Sequence, residues 1–365
     1  MKMRMGAVRA IVDAFAAPAL LASMSPRSLE DWLRVTRQAG LLGRFAAIVP
    51  PTVVAQLPTA ARRQLAVATR VGNEYARMLD WEIEQLAAAL RGQVSKVVLL
   101  KGAAYFAEGL PFSAGRYVSD VDLLVAEDEL PAAEAALRRA GWIEAELTPY
   151  DERYYRQWMH ELPPLRHRSR NSIADLHHTI LPPTGRLHPD AAALLDGARP
   201  VGEAGLLVLD RADQVLHCCA HLVQDGDLNN RLREVFDLHG LLVAGMGHAG
   251  FADSLAGRAQ RHRLERPLDY GLHLVGAVFG TSPLGDRWPK LPASRLNRVR
   301  RAGFLALARR AIEPVADADA PRGVRFPRWL LYVRSHWLRM PPLQLAAHLT
   351  RKGLRRGKGR ARTAE

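Results

Sequence analysis

The chain has 365 residues, of which 48% are hydrophobic and 24% charged. That composition excludes a collagenous, low-complexity or disulfide-scaffold protein and leaves ample chain for a buried core, in two domains or in one domain with helical extensions. The formal net charge is +14, from 51 basic against 37 acidic residues, which suits an anionic ligand such as a nucleotide, a nucleic acid or a phospholipid surface without choosing among them.

Part of that charge is local. Arg351, Lys352, Arg355, Arg356, Lys358, Arg360 and Arg362 crowd the C-terminus, yet the body stays basic without them. The two cysteines, Cys218 and Cys219, are adjacent. Sequence neighbours rarely pair, so no disulfide framework is expected and a reducing, cytoplasmic compartment fits. There is no apolar run of about 18 residues, so no transmembrane helix is expected. Residues 1–23 have early positive charges and an alanine-rich stretch like a signal peptide, but Asp13 interrupts the apolar part and an amphipathic helix is the preferred reading.

Residues 1–92 read as a helical region, punctuated by Pro50-Pro51 and Pro58. Its clearest helix is Asn73 to Leu90, where Tyr75, Leu79, Ile83, Leu86 and Leu90 recur at spacings of three and four, with Gly92 as the stop. A core of residues 93–182 follows. Val97 to Leu100 is a strand-length apolar run ending at Lys101-Gly102, and a short helix spans Ala103 to Glu108. Gly109, Pro111 and Gly115 mark a loop. The next strand, Ser119 to Val125, carries Asp120 and Asp122. A helix capped by Asp128, with Pro131 in its first turn, runs to Gly141, and Trp142 to Leu147 reads as a strand. Tyr150 to Glu161 is aromatic and charged, and a hairpin pairs Pro164–Arg168 with Ser172–Ile180 about a turn at Arg170-Asn171. Alternation places Ile173, Asp175 and His177 on one face of that second strand. After Pro182-Pro183, residues 183–349 read as a helical C-terminal domain, and 350–365 as a basic disordered tail. The expected fold class is therefore α+β: a small mixed-sheet core flanked by N-terminal and C-terminal helical regions.

The chemistry gathers in that core. Strand side chains alternate, so Asp120 and Asp122 share one face while Val121, Leu123 and Val125 share the other. Paired carboxylates raise one another's pKa or recruit a cation, and magnesium favours such oxygen ligands together with substrate phosphates. Phosphoryl transfer uses two ions about 3.5–4 Å apart to clamp attacking and leaving oxygens. Two carboxylates at i and i+2 can bridge both ions, and Asp175 from another strand can complete one of them. A glycine after the preceding strand lets backbone N–H groups approach phosphates.

The Leu100-Lys101-Gly102 turn, Arg116 ahead of Asp120-Val121-Asp122, the following Leu123-Leu124-Val125 and the later Asp175-Leu176-His177 together resemble the uncharacterised bacterial nucleotidyltransferase family. That family lies within the superfamily that includes DNA polymerase beta and small antibiotic-modifying enzymes. The resemblance extends more weakly to His221-Leu222 and to the stretch Arg233–Leu242 that holds Asp237. It implies that Asp120, Asp122 and Asp175 are catalytic ligands of a two-metal magnesium site. It places Gly102 as the phosphate-cradling glycine, with Lys101 and Arg116 as contacts to a nucleoside triphosphate. The implied reaction moves a nucleoside monophosphate from the triphosphate to a hydroxyl acceptor, which the sequence does not identify. One departure stands out: the superfamily usually follows this glycine with Ser or Gly, and here Ala103 follows it. An alternative is therefore a non-catalytic nucleotide-binding or antitoxin-like accessory protein of the same fold.

Structural readings remain beside these. Asp120 can be a turn residue, Asp122 a salt-bridge partner, Asp175 a structural group, and Arg116 and Lys101 solvated side chains. His177 can act as a base or as a hydrogen-bonded structural residue. His217 and His221, four residues apart, lack a zincin glutamate and a third ligand, so packing is expected. Cys218 and Cys219 read as helix core. The segment Phe326–Leu349 interleaves Trp329, Tyr332 and Trp337 with Arg328, Arg334 and Arg339. A core helix is its first reading. Weak association of the basic tail with nucleic acid or an anionic membrane is a further one.

Overall fold

The computed structural model describes residues 5–144, 148–224, 228–229, 231–288, 294–316 and 319–339. The basic tail lies outside these residues. The fold is α+β, with a seven-stranded mixed sheet flanked by helices on both sides in sequence. The strands are β1 (Val98–Leu99), β2 (Val121–Leu124), β3 (Trp142–Glu144), β4 (Leu165–His167), β5 (Ile173–His177), β6 (Arg199–Val201) and β7 (Leu206–Val208). Their spatial order is β3-β4-β5-β2-β1-β7-β6.

The sheet centre forms where β-branched and leucine side chains are densest. Val98, Leu99 and Leu100 on one side of the turn, and Val121, Leu123, Leu124 and Val125 on the other, are all buried. Each such leucine contributes about 1.5–3 kcal/mol on leaving water. β1 and β2 are antiparallel, but β2 and β5 are parallel, with Val121 opposite Ala174, Asp122 opposite Asp175 and Leu124 opposite His177. The expected hairpin is β4–β5, turned through Asn171 at a φ of 64°. Of the strand expected over Trp142 to Leu147, β3 covers the first three residues, and 145–147 lie outside the described part.

The reading of residues after 183 as wholly helical needs one correction. Arg199–Val201 and Leu206–Val208 form β6 and β7, and β7 pairs in parallel with β1. Both strands are three residues long, too short for a period-two signal, and β6 holds Arg199 and Pro200, which is why the pattern hides them. The sheet thus takes strands from both sides of the expected boundary.

The helix expected from Asn73 is longer and starts at Thr59, behind Pro58; it runs 32 residues to Leu90. Its two ends bury Ala61, Leu65, Ile83, Leu86 and Leu90. Between them Val67, Val71 and Met78 face solvent. The amphipathic N-terminal helix forms over Met5–Ala16 and buries Ile11, Val12 and Ala14. Phe15 meets Phe236 edge-on at 5.0 Å, and Phe236 lies 4.8 Å from Phe279, so N-terminal and C-terminal helices share one aromatic cluster. Cys218 and Cys219 are buried free thiols in the helix Arg211–Gln224. Trp329 and Trp337 are exposed on the helix Arg322–Arg339, whereas Arg328 is buried and donates to the carbonyls of Ala311, Glu313 and Val315. Among the described residues no helix is long and apolar enough to cross a membrane.

Candidate active site

β1 runs into Leu100, whose N–H donates to the carbonyl of Asp122 at 2.9 Å. The chain then bends sharply. Lys101 adopts a φ of 46°, in the left-handed region that costs energy for any residue with a side chain. Gly102 follows in the first turn of the helix Lys101–Ala107. A Cβ there would collide with the Arg116 guanidinium and lie 3.0 Å from Val118 Cγ2, so glycine lets Arg116 close over the turn. A second close approach fixes the loop that carries Arg116: Gly115, at a φ of 67°, sits with its backbone against that of Gly43, and neither position has room for a Cβ.

The carboxylates meet by register. Asp122 and Asp175 are direct partners on the parallel strands β2 and β5, and adjacent strands lie about 4.8 Å apart. Asp120 precedes β2 by one residue and shares the Asp122 face. Ligand oxygens of Asp120, Asp122 and Asp175 lie within 4.8 Å of one another. Asp175 Oδ1 is buried and has no hydrogen-bond partner. Burial and the neighbouring Asp122 carboxylate push the Asp175 pKa up to about 7.

Asp122 is held in the opposite direction. Burial works against its charge, but the Lys101 ammonium (Nζ to Oδ1, 2.8 Å) and His177 (Nε2 to Oδ1, 3.0 Å) outweigh it and keep the carboxyl well below the usual range. Lys101 mirrors this: burial opposes its charge, and Asp122 nevertheless raises its pKa above the ordinary value. His177 Nε2 also lies 3.3 Å from Glu161 Oε2. His160, Glu161 and His177 form a second group whose ligand atoms lie within 4.8 Å of one another. Burial drives the His160 pKa well below its ordinary value, keeping this imidazole neutral.

A cleft of about 250 Å³ opens in front of these groups. Lys101, Gly102, Arg116, Asp120 and Asp122 line it. Asp175 joins them through the carboxylate cluster. Arg116 is engaged by a carboxylate: its Nε donates to Asp237 Oδ2 at 3.1 Å, while Arg44 bonds the other oxygen of Asp237. Two buried guanidiniums share one carboxylate, so the cluster keeps a net positive charge beside the cleft. Arg233 also lines the cleft and donates to the Tyr117 carbonyl at 3.2 Å. His217 and His221 pack in a helix as expected, but both face the cleft as well. His221 Nδ1 lies 3.1 Å from Glu234 Oε2. Burial lowers the pKa of both histidines.

The residues expected from the sequence are therefore brought to one place. Three others near them had no role assigned. Arg44 and Glu161 come from segments without a motif, and Arg233 from a stretch noted for Asp237. Glu161 lies two residues before Pro163-Pro164, and only the bridge between Glu161 and His177 reveals its neighbourhood.

The donor set fits a hard divalent cation. It consists of three carboxylates, one with a buried unpartnered oxygen, and hard cations take oxygen ligands. No curated protein and no solved structure matches the chain. A family model does, over residues 25–280, and it spans the helices from Pro26 to Leu90, the whole sheet and the helices that close the cleft. With more than half of its length matched, the chain belongs to the family described as uncharacterised nucleotidyltransferases.

Proposed function

We propose that the protein is a magnesium-dependent nucleotidyltransferase that moves a nucleoside monophosphate from a nucleoside triphosphate to a hydroxyl acceptor. The observation that carries this reading is the convergence of Asp120, Asp122 and Asp175 from two parallel strands, with one Asp175 oxygen buried and unpartnered. Asp120, Asp122 and Asp175 would hold the magnesium, which when bound neutralises charge on the transferring phosphoryl group. Lys101 and the Arg44–Arg116–Asp237 cluster supply positive charge to the same cleft, where the triphosphate would lie. The acceptor oxygen forms a bond to the α-phosphorus as the bond to the β-phosphate bridging oxygen breaks. Pyrophosphate leaves, and the hydroxyl proton passes to a carboxylate. Asp175, the carboxylate from the second strand, would be placed to take that proton.

Calorimetric titration of magnesium with each common nucleoside triphosphate tests the metal clamp. Wild type should bind one of them, and Asp122→Ala should bind it at least about tenfold more weakly. Equal binding by both proteins would sink the reading.

A second reading, a nucleotide-binding or antitoxin-like accessory protein, draws on the Lys101–Asp122 ion pair and on Ala103 after the turn glycine. An ammonium already seated on Asp122 can substitute for a cation. Incubation with labelled triphosphates and cell extract separates the two: label transfer that disappears with Asp120→Asn rejects the pure binder.

A further inference from the structure

Asp120 is the wall between two unlike cavities. On one side is the cleft described above, where Lys101, Arg116, Arg231 and Arg233 face Asp120, Asp122, Glu234 and Asp237. On the other is a groove of about 830 Å³ that shares Tyr117, Val118, Ser119 and Asp120 with it. That volume lies within the range of small-molecule sites. The groove is walled by the helix Thr59–Leu90 and by the start of β5. The helix presents Tyr75, Met78 and Trp81 to it, at 38%, 55% and 46% exposure, and β5 presents Ile173. Side chains three apart on a helix lie along one face.

Two features set the character of this groove. Its rings are held in place. Tyr75 and Tyr117 meet edge-on at 4.5 Å, and the Arg170 guanidinium lies 4.9 Å from the Trp81 ring centroid. Its charges are also matched. Arg170 pairs with Glu82 at 3.0 Å, and Arg77 pairs with Glu74. Among the described lining residues that leaves Asp120 as the charge without an ionic partner in the groove. The groove is thus largely apolar and aromatic with its cations already paired, whereas the cleft is lined by closely spaced charges of both signs.

We infer that this groove binds the acceptor, and that the acceptor is an uncharged hydroxyl compound with an aromatic or aliphatic body. The inference rests on the transfer reading above. In an in-line displacement the attacking and leaving oxygens lie on opposite sides of the phosphorus. The cleft, with Lys101, Arg116, Arg231 and Arg233, suits the triphosphate and its departing pyrophosphate, and the groove meets it at Asp120 from another side. The incoming O–H loses its proton to a carboxylate as its oxygen bonds the α-phosphorus and pyrophosphate departs. The cations of the groove, Arg77 and Arg170, are already paired with Glu74 and Glu82, so an anionic acceptor would find no free cation among the described lining residues.

Two small probes test this on the full chain. The neutral probe is 4-butylphenol, and 4-butylbenzoate is its anionic counterpart. By calorimetry the wild type should bind the phenol at least about tenfold more tightly than the benzoate. The double variant Tyr75→Ala/Trp81→Ala should lose about tenfold or more in phenol affinity, consistent with removal of two exposed ring faces. Met78→Glu, which adds charge on the same wall, should do the same. Circular dichroism should be unchanged, since these side chains are partly solvent-exposed. Magnesium–triphosphate binding should also be unchanged in both variants. Equal affinity for the two probes, or unaltered phenol affinity in the variants, overturns the inference. Loss of triphosphate binding in the groove variants also overturns it, because the groove would then hold the nucleobase. If the wild type binds no triphosphate at all, the transfer reading itself fails and the acceptor role falls with it, whatever the phenol does.

Discussion

Asp175 concentrates the chemistry of the site in a single carboxyl group. Its Oδ1 is buried and unpartnered, its strand neighbour is Asp122, and its pKa stands at about 7 instead of near the ordinary carboxyl value. A proton and a cation compete for the same oxygen, so magnesium should bind more tightly as pH rises. The gain should approach about tenfold per unit between pH about 5 and 7, then level off. In Asp175→Asn the binding should be weak and the profile flat, as read by calorimetry at several pH values. Linkage sets the opposite sign for the metal-free fold. A raised carboxyl pKa means that the folded state binds more protons than the unfolded state between pH about 4 and 7. Stability therefore falls as pH rises through that window, by at most about 4 kcal/mol. Metal-free Asp175→Asn should accordingly melt above wild type at pH 8 and close to it at pH 4.5. A lower melting temperature at pH 8 would show that the ionised carboxylate is stabilising. This residue was legible in the sequence, because a carboxylate between apolar strand neighbours is conspicuous. Its raised pKa was not, since that depends on the parallel register with Asp122.

Between elements, the decisive contact is the one that Asp237 makes with Arg44 and Arg116. It joins the helix Leu42–Ile48, the loop that leads into β2 and the helix Leu232–Met246. All three side chains are buried or nearly so. Burying charges is costly, and the cost is met only while all partners are present. Asp237→Ala leaves two guanidiniums in a dry site and should lower the unfolding free energy by about 3–5 kcal/mol, measured by urea denaturation. Arg116→Met should cost less, because Arg44 and Asp237 remain paired. If Asp237→Ala is no more damaging than Arg116→Met, the network is not structural. The sequence pointed to Arg116 and, through the family resemblance, to Asp237 as separate features. Their pairing spans 121 residues and Arg44 lies 193 residues from Asp237, so no local pattern could join them. The strands β1 and β2 themselves were easier to anticipate, because each is a dense apolar run.

For the whole molecule, the same logic bears on where the chain divides. Composition suggests a core of residues 93–182 between helical regions, and the motif residues do fall inside it. The packing runs across those limits. β7, from residues 206–208, pairs with β1, and in the strand order β1 lies between β2 and β7. A fragment ending at residue 182 would leave one side of β1 unpaired, and an exposed sheet edge is an aggregation liability. It would also lose the helix Arg211–Gln224, which packs against Lys101–Ala107 at the turn. The buried apolar residues form one cluster from Ile11 to Leu331, tied by Phe15, Phe45, Phe236 and Phe279. We therefore expect the full chain to unfold in one cooperative transition, and residues 93–182 alone to be unfolded or aggregated. Circular dichroism melts and the proton–nitrogen spectrum of the fragment check both points. A soluble fragment with dispersed amide signals would show instead that the motif-bearing residues form an independent core on which the helical regions are only docked. Extending it to residue 224, which restores β6, β7 and the cleft helix, should recover more structure than adding residues 59–92, because a central strand needs partners on both sides before a covering helix has a face to pack on.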